Sequence, residues 1–473
     1  MKMVIVFMLL LLVPIFSASI DRGPYLSCVS ENGIIITFES DIPAGGGVRW
    51  ADEAYFDVHS SFEHDTSVSD FLSHHKFELN ALNPWTKYYY QVYVDGDESD
   101  TFHFWTAPDT VVPFSFVAYG DCRTNQSEHR TVADAASSFE PHLVFNSGDL
   151  ITDGNSWYGA WEWNQFFDAI ENLGGNAPYY PAVGNHEDEV DEFFRPLFEL
   201  PGNEQWYSFD YANCHFVVLN NNADISTGSE QYNFVADDLA AADGNYDFIF
   251  VIFHRPPYTC GTEHGNHTDT QTYLCPLFVA HNVAMVFNGH NHDYERNYVD
   301  GVYYIVTGGG GAPLYPVSPE VWTIYAESCY HFCLIEVIGD SLHFTARYDD
   351  GTVFDEFSMN SDLSVSEKNY NEQLFKIITK PEPFNSSVMI ETSSSLYNIK
   401  NVSIYDLRGN VVFEKSFDLS ASSREERVSN KGAVRRIIWT PERNVASGIY
   451  LVRAVLIGSD ASLICTKKVV YLR

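Results

Sequence analysis

Apolar and polar positions divide the chain into stretches of different rhythm. Between residues 20 and 108 apolar positions alternate with polar ones over short runs. Gly33-Ile34-Ile35-Ile36-Thr37-Phe38 follows a turn, His75 to Val94 alternates around Leu82, Pro84, Thr86, Tyr88, Tyr90 and Val92, and Phe102 and Phe104 repeat the pattern. Period-two alternation broken by turn residues predicts short half-buried strands and a β-sandwich. From 112 to 358 continuous apolar runs alternate with helical patterns, which predicts an α/β domain with largely buried sheets. Residues 359–374 are polar and read as a linker, and β-like patterning returns over 375–473.

The central runs carry the candidate chemistry, because five of them end in metal-ligand residue types. Phe114 to Tyr119 leads to Gly120-Asp121, and Leu143 to Phe145 leads to Gly148-Asp149. Tyr179 to Val183 leads to Gly184-Asn185-His186-Glu187, Phe248 to Phe253 to His254, and Val283 to Phe287 to Gly289-His290-Asn291-His292. Carboxyl ends of strands in an α/β sheet converge on one rim, where ligands bind. Asp, Asn and His gathered there supply hard oxygen and imidazole donors.

Composition narrows the function classes. Hydrophobic residues make up 45% of the 473, enough for packed cores, and 27 Lys+Arg against 64 Asp+Glu give a formal charge of −37. Such a chain repels nucleic acid and anionic membrane, so neither is expected as a stable partner. Residues 1–19 read as a signal peptide: Lys2, an apolar run from Val4 to Phe16, then Ser17, Ala18 and Ser19. No later stretch reaches the roughly 18 apolar residues of a membrane span. Eight cysteines form no CxxC pair, which removes a zinc-ribbon reading. Export permits disulfides, with Cys260–Cys275 the first candidate and Cys329–Cys333 the second.

The ordered set from Gly120-Asp121 to Gly289-His290-Asn291-His292 resembles the calcineurin-like metallophosphoesterases. The preceding β module, which opens Arg22-Gly23-Pro24-Tyr25-Leu26, resembles that of the purple acid phosphatase branch, as do Tyr207-Ser208-Phe209-Asp210-Tyr211 and Tyr294-Glu295-Arg296. The resemblance implies a four-layer α-β-β-α catalytic domain with two metal ions, their identity (Fe, Zn, Mn or similar) left open. It implies that Asp149 bridges both ions, that Asn185, His254 and His290 complete one site, and that Asp121 and His292 belong to the other. His186 would lie beside the metals and act on substrate or leaving group. His264, with His267 and Arg123, would bind the phosphate. The spacing Leu82-x-Pro84-x-Thr86-x-Tyr88-x-Tyr90-x-Val92 resembles fibronectin type III modules. Val402 to Gly409, Ser447 to Val452 and the terminal Lys467 to Arg473 resemble type IX secretion sorting domains and related Ig-like modules. That implies contact with secretion machinery and a secreted or cell-surface location.

Two positions depart from the family pattern. Its first motif is often D-x-H, whereas this chain has Asp121-Cys122-Arg123; the tyrosine of GDxxY is replaced by Thr152. The first metal is therefore short of a donor. His129 is a candidate replacement, on a helix N-capped by Ser127 whose inward stripe is Val132, Ala135, Ala136 and Phe139. Without the tyrosine, no Fe(III)-tyrosinate colour is expected. The reading that follows is a binuclear phosphomonoesterase using metal-bound hydroxide on a small phosphate ester. A phosphodiesterase or nucleotide pyrophosphatase on the same site, and a non-catalytic surface binding protein, are the alternatives.

Overall fold

The computed structural model describes residues 17–153, 159–187 and 194–361, and beyond them 365–366, 375–380, 385–394, 398–406, 411–417, 433–441, 445, 447–457 and 462–471. Most of the leader-like segment and of the linker lies outside the described residues.

The N-terminal module is built around one 20-residue strand, Gly33–Asp52. Its first half pairs with Ile20–Ser30, its second half with Lys87–Val94, and both halves with His64–Leu79. Register shifts between Glu39 and Ala44, around Pro43, let the strand bend. All six strands are thereby hydrogen-bonded into one antiparallel sheet through this bent strand. The alternation expected from His75 to Val94 is interrupted. One strand ends at Leu79 and the next begins at Lys87. Between them Ala81 and Trp85 take left-handed φ angles of 62° and 44°, and Pro84 has no amide to donate.

Two seven-stranded sheets form the centre. In the first, Phe114–Tyr119, Leu143–Asn146 and Tyr179–Pro181 run parallel, and Phe114–Tyr119 is flanked on its other side by the antiparallel strand His331–Ile338. In the second, Cys214–Val218, Phe248–Ile252, Met285–Asn288 and Val302–Thr307 run parallel. Both faces of these strands are buried, as the unbroken apolar runs require. Phe216, Phe250 and Phe287 point between the sheets, where Phe116 meets Phe250 and Phe216 edge-on at 5.0 and 5.3 Å. The alternate residues Val217, Val251 and Val286 point outward onto Val235, Leu239 and Phe278 of the helices Glu230–Ala242 and Cys275–Ala280. On the other side the helix Gln126–Ser137 buries His129, Val132, Ala133 and Ala136. The layers are helix, sheet, sheet, helix. Asn125, rather than Ser127, stands at the N-cap of that helix.

At the C-terminal end a three-stranded and a four-stranded antiparallel sheet share a core that includes Val388, Ile390, Val402, Ile404, Trp439 and Val452. Among the described residues seven cysteines are free thiols, including both expected pairs. The amide of Cys260 is held by Glu295, whereas the Cys275 thiol lies among Tyr258 and Tyr304. Cys329 precedes the strand His331–Ile338 and Cys333 lies within it, and both thiols are free.

Candidate metal centre

Five of the parallel strands lead into turns that place polar side chains at the rim, those before Asp121, Asp149, Asn185, His254 and His290. Asp121, Asp149 and His290 all adopt left-handed backbone with φ of 56°, 55° and 71°. For non-glycine residues that conformation is costly, on the order of 1–2 kcal/mol each, and it persists where surrounding contacts impose it. Here they do. The Asp121 amide donates to the Gly148 carbonyl at 2.9 Å and the Cys122 amide to the Asp149 carbonyl at 3.0 Å. The His290 amide donates to Asp121 Oδ2 at 2.9 Å. Gly184 is required by space, since a Cβ there would stand 2.2 Å from the Asp149 amide nitrogen and from Oδ1.

Ligating atoms of Asp149, His254 and His290 lie within 4.8 Å of one another. His254 donates its Nδ1 proton to the Ser147 carbonyl at 2.9 Å, so Nε2 carries the lone pair. That Nε2 faces Asp149 Oδ1 at 3.2 Å, Asn185 Oδ1 at 3.1 Å and His290 Nδ1 at 3.2 Å. With a neutral His254 the Nε2 lone pair faces the Asp149 carboxylate, and a proton or a metal cation between them reconciles the two. Burial opposes charge on His254, but Asp149 outweighs it and pushes this imidazole up to about 9. Burial and the neighbouring His254 push His290 down to about 2. Asp149 is held below the usual carboxylate range despite its burial, through His254 and then His186. The donor set of one carboxylate, one amide oxygen and two imidazoles fits a divalent transition metal.

The remaining candidates divide. His292 donates Nδ1 to the Pro313 carbonyl at 2.7 Å and turns Nε2 toward Asp121 Oδ1 at 3.6 Å. His186 donates Nδ1 to the Thr152 carbonyl at 2.6 Å and has Nε2 3.7 Å from Asp149 Oδ2. His264 stacks on His290 at 4.0 Å, which places it over the cluster. Arg123 lies between Asp149 and His292. His267 is bound by Thr270 Oγ1 at 2.7 Å beside the helix Thr268–Tyr273, and no contact joins it to the cluster among the described residues. His129 is buried as its helical face predicts, but it stacks on Phe166 and its Nε2 faces the Tyr119 hydroxyl at 3.2 Å. Burial keeps this imidazole neutral, pushing it down to about 3.

Three residues without an assigned role prove structural to the site. Glu187 accepts the amides of Asp149, Leu150 and Gly184 at 3.0, 2.7 and 2.7 Å. Asn291 accepts the His264 amide at 3.1 Å and donates to Thr259 and to the His264 carbonyl, so it fixes the loop that carries His264. Both lie within the Gly184–Glu187 and Gly289–His292 motifs, which is the one signal that pointed to them. Tyr315 stacks on His292 at 4.0 Å and had no motif to mark it.

The two packed sheets with their rim of Asp, Asn and His define a phosphoester hydrolase domain, and residues 114–294 match the family model of the calcineurin-like phosphoesterases. Purple acid phosphatases are among the proteins this chain is similar to. Purple acid phosphatase 18 of Arabidopsis thaliana is 28% identical over 341 residues, covering 65% of this chain and 76% of its own length. Probable inactive purple acid phosphatase 1 of the same plant is 29% identical over 267 residues, or 46% of this chain and 43% of that one. The solved purple acid phosphatase PPD1 from yellow lupin shares the fold, with a TM-score of 0.60 at 21% identity over 72% of this chain and 74% of its own.

Proposed function

We propose that this protein is a metal-dependent phosphomonoesterase whose reaction takes place over Asp149, Asn185, His254 and His290. The observation that carries the reading is the convergence of their donor atoms around His254 Nε2. A divalent ion bound by these donors supplies Lewis-acid chemistry toward a phosphoryl oxygen and a water. The chain's own groups do the rest. His186 is partly exposed, with Nδ1 fixed by the Thr152 carbonyl, so Nε2 is the atom that holds or passes a proton at the leaving oxygen. His264 is kept neutral by burial and by the charges of His254 and Arg255, so it acts as a hydrogen-bond donor to phosphate. Arg123 and Arg255 supply fixed positive charge, which favours a dianionic monoester over a monoanionic diester. Export belongs to the same reading, supported by the leader-like residues 1–19, as does sorting through the C-terminal β module.

Rates on nitrophenyl phosphate and bis(nitrophenyl) phosphate test the proposal. The monoester is expected to react faster, His254→Ala to abolish metal uptake together with activity, and His186→Ala to lower kcat by about 100-fold or more with metal retained. Full activity in His254→Ala would overturn the site.

A further inference from the structure

We propose that the Arg123 guanidinium occupies the place of a second metal ion, so that this chain holds one ion, at Asp149, Asn185, His254 and His290, beside a fixed organic cation. The inference rests on the assignment of those four residues as ligands above.

Position 123 is the third residue of the Asp121-Cys122-Arg123 motif, where a D-x-H sequence would carry an imidazole donor. The structure brings this side chain to the place that a first metal would need. Arg123 Nε lies 3.7 Å from Asp149 Oδ2, and Nη2 lies 3.4 Å from His292 Nε2. His292 has spent its proton on the Pro313 carbonyl, so Nε2 is an acceptor. Asp121 Oδ1, 3.6 Å from the same Nε2, is buried without a hydrogen-bond partner, and Arg123 Nε is likewise buried and unpartnered. Asp149 and His292 thus turn acceptors toward Arg123, with Asp121 on the far side of the His292 Nε2 contact, and a guanidinium carries donors only. Charge complementarity is met by the arginine.

The same geometry disfavours a second ion. The first position retains Asp121, His292 and a share of Asp149, one donor short of four. Thr152 stands where a tyrosine ligand would be, and its carbonyl is taken by His186. His129 Nε2 faces Tyr119. A divalent ion placed among these donors would sit against a guanidinium that is permanently charged. With one divalent ion bound, ion and guanidinium outweigh the two carboxylates by one charge, so the centre stays cationic toward phosphate without a second metal.

The test is Mn²⁺ stoichiometry on the full chain, by metal analysis after gel filtration and by electron paramagnetic resonance, for wild type, Arg123→His and Arg123→Gln. Wild type is expected to retain one Mn²⁺ with the six-line signal of an isolated ion. Arg123→His restores D-x-H and is expected to retain two, with the isolated signal lost to exchange coupling. Arg123→Gln, which removes the charge at similar length, is expected to admit a second ion more weakly. Two Mn²⁺ in wild type would overturn the proposal even if neither variant folds. A single Mn²⁺ in a folded Arg123→His would overturn it as well. No Mn²⁺ in wild type would instead overturn the ligand assignment on which it rests.

Discussion

Glu187 Oε1 accepts the Leu150 amide at 2.7 Å, and that bond ties the loop after Tyr179–Pro181 to the loop after Leu143–Asn146. Its other oxygen accepts the amides of Gly184 and Asp149. One buried carboxylate therefore sets the spacing of two ligand-bearing loops. Glu187→Ala would leave three buried amides without an acceptor, at about 1–3 kcal/mol each. A loss of at least about 3 kcal/mol in urea unfolding is expected, together with weakened metal retention. A loss below about 1 kcal/mol would mean that the loops hold their shape alone.

Chelation is expected to abolish hydrolysis and lower the Tm, and stoichiometric Zn²⁺ or Mn²⁺ to restore both. An ion held 100-fold above its Kd stabilises the folded state by about 2.7 kcal/mol. Calorimetry with and without chelator measures this. An unchanged Tm would show that Asp149, His254 and His290 bind no ion in the folded protein.

Arg296 and Asp355 join the two central sheets. Arg296 Nε and Nη2 donate to Asp355 at 2.8 and 3.0 Å, and the Tyr294 hydroxyl donates at 2.7 Å. Asp355→Ala strands a buried guanidinium and is expected to cost about 3–5 kcal/mol in denaturant unfolding. Replacing both partners with apolar residues of similar volume is expected to cost far less.

The His215 imidazole is held by two carboxylates. Burial lowers its pKa, but hydrogen bonds to Asp238 and Asp210, at 2.9 and 2.7 Å, outweigh burial and raise it. A raised folded value means that protonation stabilises the native state. The contribution is complete below the unfolded value of about 6.5 and is lost as pH rises through the higher folded value. His215→Gln should therefore lie below wild type at pH 5.5 and converge on it as pH rises beyond the folded value. A gap that widens with pH would reverse the assignment.

The rim was legible because buried parallel strands write themselves as unbroken apolar runs, and each run here stops at Gly-Asp, Gly-Asn-His-Glu, His or Gly-His-Asn-His. What could not be read were partners fixed by tertiary approach. His129 lies on the expected buried face, yet its helix presents it to Tyr119 and Phe166. Arg123 was visible as a departure from D-x-H, but that its side chain turns inward to Asp149 and His292 depends on a left-handed Asp121 that no local propensity specifies. The Cys260–Cys275 pair failed for a similar reason. Nearness along the chain says nothing about which side of a loop each thiol faces.

His186, His254 and His292 are each oriented by a main-chain carbonyl, those of Thr152, Ser147 and Pro313. A carbonyl survives any exchange of the side chain that it belongs to. The aim of these three imidazoles is therefore immune to substitution at the residues that enforce it. The metal-handling of this scaffold can therefore be rewritten at a single codon, that of the cation among the ligands, while the carbonyls that point the histidines stay in place.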